Sequence, residues 1–174
     1  MRMTRTIRAL TTSAALVLAV GGFAASPAFA DGTPSGGHIL LNAALVGSMP
    51  APASPVVAGI NPGGAPWVNG PSRVRVHDTG SITVQIRGLV IPPPRGTGVN
   101  PIASVVATLV CDQQVASSSA PFALTAAGDG STRDMIAVPR DCDNPVVLIQ
   151  PAANRAVYIA STVEHTRSHA EHDD

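Results

Sequence analysis

The densest gathering of chemically capable side chains lies at the C-terminal end of this 174-residue chain. There Glu164, His165, His169, Glu171, His172, Asp173 and Asp174 crowd together. His165 and His169 are four apart and His172 is three further on, so a helical segment would stack the three imidazoles on one face. Such a trio suits a borderline cation such as Zn²⁺ or Cu²⁺. The segment has no apolar side with which to hold a helix against a core, and no cysteine. An acidic, His-rich disordered tail over 163–174 is therefore expected, with metal binding as the alternative function.

Other groupings invite chemistry and meet competing explanations. His77-Asp78 supplies two members of a Ser-His-Asp arrangement, but no Gly-x-Ser-x-Gly elbow accompanies it, and both residues sit where a turn is expected. A hydrolase is the third-ranked reading; no catalytic residue is nominated and the chain reads as a non-enzyme. Asp129, Asp134, Asp141 and Asp143 offer oxygens to Ca²⁺, yet 129–134 lacks the alternating ligands and closing Glu of an EF-hand. Asp141 and Asp143 flank Cys142 and suit a turn. Trp67, in a Pro/Gly-rich run, would stack on a sugar if exposed. Capping the open end of a β-sandwich is the stronger reading. The proline-stiffened loops 61–67 and 92–101 are the expected binding surface, with Asn61, Trp67 and Arg95 as candidate contacts. No motif implies a cofactor.

Cys111 and Cys142 are the two cysteines of the chain. An even count reads as one structural disulfide in a chain whose N-terminal 30 residues have the charge and apolar pattern of a secretory leader.

The elements that must position these residues read as short strands. Arg73-Val74-Arg75-Val76 alternates, His77-Asp78-Thr79-Gly80 is turn chemistry, and Ser81 to Arg87 alternates again. This predicts a β-hairpin with a four-residue loop, Ile82, Val84 and Ile86 inward, and Thr83, Gln85 and Arg87 outward. Ile102 to Cys111 is apolar on one face and half apolar on the other, as in a central strand. Further pieces fall at 38–46, 56–60, 115–119, 121–124, 132–138, 146–150 and 156–162. The expected architecture is all-β, a single antiparallel β-sandwich, immunoglobulin-like, of about seven to nine strands, preceded by a signal helix.

Composition and the N-terminal end bound the rest. Arg2, Arg5 and Arg8, the apolar run Leu10 to Val20, and Ala28-Phe29-Ala30 form a signal peptide over 1–30, with cleavage ahead of Asp31. Residues 31–37 read as a flexible lead-in and 38–162 as the domain. The apolar run is too short to span a bilayer, so no membrane span is expected after cleavage. The mature chain keeps eight arginines against eleven acids, a net charge near −3, and has no lysine. Those arginines are scattered along the sequence, which argues against a nucleic-acid partner. The expected function is a secreted, non-catalytic binding or structural module with a partner outside the cell or at its surface.

The order Ala58-Gly59-Ile60-Asn61-Pro62-Gly63-Gly64, Arg87-Gly88-Leu89-Val90-Ile91-Pro92, Leu109-Val110-Cys111, Gly128-Asp129, Val138-Pro139 and Cys142 resembles small secreted β-sandwich proteins of high-GC bacteria. The resemblance implies export and the sandwich fold, and it implies no activity.

Overall fold

Residues 37–162 are described by the computed structural model. The stretch expected to be a signal peptide (1–30), the lead-in before Gly37 and the expected tail from 163 onward lie outside the described residues. In chain order the strands are β1 (Ile39–Ala44), β2 (Val46–Gly47), β3 (Asn61–Pro62), β4 (Arg73–His77), β5 (Ser81–Ile86), β6 (Ser104–Cys111), β7 (Gln114–Ser118), β8 (Phe122–Ala123), β9 (Gly130–Met135), β10 (Val146–Pro151), β11 (Val157–Tyr158) and β12 (Ala160–Ser161). Seven of these twelve run five residues or more, and the other five are two-residue pairings. The expectation of seven to nine strands differs from twelve because the runs 38–46 and 156–162 are each divided, at Leu45 and Ile159, and because Asn61–Pro62, expected in a turn, pairs as a strand. The predicted piece at 56–60 forms a tight turn, with Val57 bridged to Ile60.

Alternation builds the first sheet, whose order is β1-β4-β5-β9 with every pair antiparallel. Val74 faces Val84 and Val76 faces Ile82. Val74, Val76, Ile82, Val84 and Ile86 are buried, while Arg73, Arg75, Gln85 and Arg87 are exposed and Thr83 is half-buried. This is the expected phase. The loop is shorter than expected, because His77 stays in the strand opposite Ile39 and the chain turns on Asp78-Thr79-Gly80. Gly80 takes the positive φ (95°) that such three-residue connections demand.

The second sheet runs β2-β12-β10-β6-β7, with β8 also paired to β6. β6 is central, as its sequence requires, and Val105 to Cys111 is buried on both faces. Val105, Ala107, Leu109, Val147 and Ile149 share one core with Val74, Val76, Ile82, Val84 and Ile86, so the two sheets stack through a single aliphatic layer. The opposite face of the second sheet is covered as well. Val57, Val110, Leu148 and Tyr158 form a smaller cluster there. The Tyr158 hydroxyl donates to the Pro55 carbonyl at 2.6 Å, and burial pushes this phenol above its ordinary range. A polar chain crosses the same face. The Thr108 hydroxyl donates to Gln150 Oε1 at 2.5 Å, and Gln150 Nε2 donates to the Arg155 carbonyl at 2.5 Å, which satisfies groups that would otherwise be costly to bury. β3 and β11 pair in parallel, a departure from the all-antiparallel expectation.

Both edges between the sheets are closed. On one side the chain passes from β1 in the first sheet to β2 in the second at buried Leu45, whose N–H donates to Ser72. On the other, Asp134 of edge strand β9 accepts the Ala120 N–H at 2.7 Å, and its second oxygen accepts the Met135 N–H at 2.8 Å. These donors hold its carboxyl below the ordinary range, the Ala120 contact foremost. A depressed native pKa stabilises above the unfolded value and is lost as pH falls through the native one. Asp134→Asn is therefore expected to lower stability at neutral pH and to differ less from wild type as the solution is acidified below about pH 4. Urea midpoints of the two proteins at matched pH check this, and a gap independent of pH would refute it.

Cys111 and Cys142 are bonded, with Cα atoms 5.0 Å apart, as expected. Beside them the backbone of Asp112 and Asp143 is tied together: the Asp112 N–H donates to the Asp143 carbonyl, and the Asp143 N–H donates to Asp112 Oδ2.

Candidate functional site

Strand pairing brings together residues far apart in the sequence. On the outer face of the first sheet, Asn42 of β1 lies opposite Arg75 of β4, which lies opposite Thr83 of β5, which lies opposite Arg133 of β9. The next row is Ala44, Arg73, Gln85 and Ser131. Directly paired residues project from the same face, so these eight side chains form one surface. Three are arginines and none is acidic. Arg75 and Arg133 stand two strand spacings apart, roughly 10 Å, with Thr83 between them.

Arg73, Arg75, Thr83, Gln85 and Arg133 line a depression of about 230 Å³. Its walls are exposed or half-buried side chains of three neighbouring strands, so it is open to water. None of the three guanidinium groups forms an ion pair or hydrogen bond with another described residue. Three like charges without a counter-charge repel one another and make a local positive potential, which an anion relieves. Guanidinium groups present a planar fork that matches carboxylate, sulfate or phosphate oxygens in pairs. Thr83 and Gln85 add neutral hydrogen-bonding groups between the charges.

The corner beneath the depression is fixed by backbone contacts. Gly70 N–H donates to the Arg87 carbonyl at 2.8 Å, and the Arg87 N–H donates to Ser72 Oγ at 3.0 Å. Asn69 ties the sheet-switching corner together, accepting from the Gly47 N–H and donating to the Leu45 carbonyl. Asp129 Oδ1 accepts the Gly88 N–H at 3.0 Å, holding the turn after Gly128 against the end of β5. The arginines thus project from paired strands whose connecting corner is held by these hydrogen bonds.

The residues nominated from the sequence fall elsewhere. Trp67 is 5% exposed and belongs to the main core, so it caps the interior and offers no ring for stacking. Asn61 is exposed in β3 and Arg95 is exposed in the turn where Gly96 N–H donates to Pro92. None of the three borders the arginine depression. His77 Nδ1 lies 2.9 Å from the Gly37 carbonyl, a contact that anchors the start of the described chain. The Asp129 and Asp134 carboxylates accept backbone N–H groups, the Asp143 N–H donates to Asp112, Asp141 is exposed, and among the described residues no group of three or more His, Cys, Asp or Glu is placed to hold a metal ion. His165, His169 and His172 lie outside the described residues.

Three of the arginines scattered along the sequence, Arg73, Arg75 and Arg133, are gathered by the register. Arg133 is distant in sequence from Arg73 and Arg75 because β6, β7 and β8, all in the other sheet, intervene before β9 returns to β5. A signal existed in the alternation itself: positions 73, 75, 83, 85, 131 and 133 are all polar on the water-facing side of their strands. No protein family, curated protein or solved structure was found to match the chain.

Proposed function

We propose that this chain is an exported, non-catalytic binding module, an immunoglobulin-like β-sandwich whose outer sheet face takes a ligand bearing oxyanions. The observation that carries this reading is the cluster of Arg73, Arg75 and Arg133 around one open depression, with no acidic partner among the described residues. Export is supported by the leader pattern of residues 1–30 and by the Cys111–Cys142 bond, which suits an oxidising compartment. Among the described residues no helix is long and apolar enough to cross a membrane.

Anions held by exposed arginines in water bind weakly and in a salt-dependent way, since screening extends over about 10 Å at 0.1 M ionic strength. The test is a two-dimensional amide NMR titration of the protein with citrate, a small tricarboxylate, at low ionic strength. Shifts are expected at residues 73–75, 83–85 and 131–133, and their loss is expected in an Arg75→Gln, Arg133→Gln double variant. Shifts confined to 61–67 and 92–101, or none at all, would overturn the reading.

A further inference from the structure

The arginine depression does not stand by itself. Two neighbouring depressions share residues with it: one shares Arg73 and Gln85 and runs toward Asn69 and Ser72, and the other shares Gln85 and runs toward Arg87 and Ser131, with Asp129, whose Oδ1 accepts the Gly88 N–H, in its wall. Together they make a continuous shallow track across the four strands of the first sheet. Four strands at about 4.8 Å spacing give the track a width of roughly 14 Å from the first strand axis to the last. A single small anion would leave most of it empty, and an open face of exposed side chains is unlike the enclosed pockets that retain small molecules.

The order of groups along the track constrains the occupant further. Positive charge at Arg75 and Arg133 is interrupted by Thr83, and the row below alternates Arg73 with the neutral Gln85 and Ser131. That pattern fits a polymer in which carboxylates are separated by hydroxyl-bearing units. Neutral glycans and single-stranded nucleic acids both draw affinity from aromatic platforms. Here Trp67, Tyr158 and Phe122 are 5%, 0% and 9% exposed, so none is offered. Residues 37–162 also balance seven arginines against six aspartates, far from the strong positive charge a nucleic-acid surface needs.

We infer that the ligand of this face is a linear acidic polysaccharide lying across the strands, its carboxylates paired with Arg75, Arg133 and Arg73 and its hydroxyls with Thr83 and Gln85. This rests on the binding reading above and adds the class of ligand. The arginines supply the charge-assisted bonds, and the rows between them distinguish a carboxylated glycan from a denser polyanion. Affinity grows with chain length until the track is filled, because each added unit brings a further contact without a second loss of translational freedom.

The experiment is isothermal titration of the protein with polygalacturonate and with galacturonate oligomers of graded length, at low ionic strength. Dextran and oligothymidylate serve as the neutral and nucleic-acid comparisons. Binding is expected to strengthen with oligomer length, to weaken about tenfold (~1.4 kcal/mol) for each of Arg75→Gln and Arg133→Gln, and to be partly kept in Arg133→Lys. Dextran is expected not to bind, and oligothymidylate to bind more weakly than polygalacturonate. Melting curves verify that the variants fold. Oligothymidylate binding as tightly as polygalacturonate would overturn the polysaccharide assignment in favour of a nucleic acid. Affinity independent of length would reduce the face to a small-anion site. Absence of polygalacturonate binding alongside intact citrate shifts would refute the polymer and leave the broader reading standing, whereas absence of both would refute the two together.

Discussion

Removing the disulfide, in a Cys111→Ser, Cys142→Ser double variant, is expected to cost about 3.7 kcal/mol. This figure follows from loop-closure entropy for the 31-residue separation of the two cysteines. Domains of this kind have roughly 5–15 kcal/mol of net stability, so the loss is a large fraction of the whole. The position of the bond adds to its effect. Cys111 ends the central strand β6 in the second sheet, and Cys142 lies on the segment that leaves β9 in the first sheet for β10 in the second. Both half-cystines lie in the main core. The bond therefore fixes the return path of the strand that carries Arg133. Urea denaturation of wild type and double variant provides the measurement, and a midpoint shift of roughly 2 M is expected. A difference under about 1 kcal/mol would show that the reduced chain already holds these segments together.

Gly128→Ala is expected to destabilise by about 3 kcal/mol or more. Gly128 has φ +79°, and a Cβ there would stand 2.3 Å from the Leu89 nitrogen and 2.4 Å from the Leu89 oxygen. Those are main-chain atoms of a fully buried residue, and the Leu89 N–H donates to the Gly128 carbonyl at 3.0 Å. The side chain cannot be accommodated by a flexible neighbour, so the contact must open and its hydrogen bond weaken. Gly59 provides an internal control. Its φ is nearly the same, +76°, but a Cβ there meets nothing within 4 Å. Gly59→Ala should incur the backbone strain alone, about 1 kcal/mol. Equal effects at the two sites would refute the argument from close approach. Because Asp129 and the end of β5 depend on the same turn, Gly128→Ala is also expected to weaken anion binding at Arg87 and Gln85 more than at Arg133.

The parts of the fold legible in the sequence are those set by local period. The β4–β5 hairpin, its buried face, and the two-sided burial of β6 follow from alternation and from its breakdown between Ile102 and Cys111. The cysteine pairing followed from count and from the compartment expected of the leader pattern. Sheet membership did not. Nothing in the run 38–46 signals that Leu45 separates β1 from β2 in different sheets, and the parallel pairing of Asn61–Pro62 with Val157–Tyr158 joins segments almost a hundred residues apart. The arginine face was hidden for the same reason. Arg73 and Arg75 read as the wet side of a hairpin, and only the non-sequential pairing of β5 with β9 sets Arg133 beside them. Trp67 shows the converse, since a large ring in a Pro/Gly-rich loop looks available in sequence yet finishes a core poor in aromatic residues.

The strict alternation of the first sheet also bears on how readily this molecule can change its specificity. Val74, Val76, Ile82, Val84 and Ile86 hold the sheet to the core, while the residues between them touch no other layer. Substitutions at exposed positions of this kind usually alter stability by no more than about 0.5 kcal/mol. Mutation can therefore rewrite positions 73, 75, 85, 131 and 133 without consuming the margin that keeps the chain folded. Divergence among descendants of this protein should concentrate on that one face, with the inward neighbours of each changing residue held nearly constant. The same separation makes the sheet a natural scaffold for library selection, in which charge and shape are varied on a fixed frame.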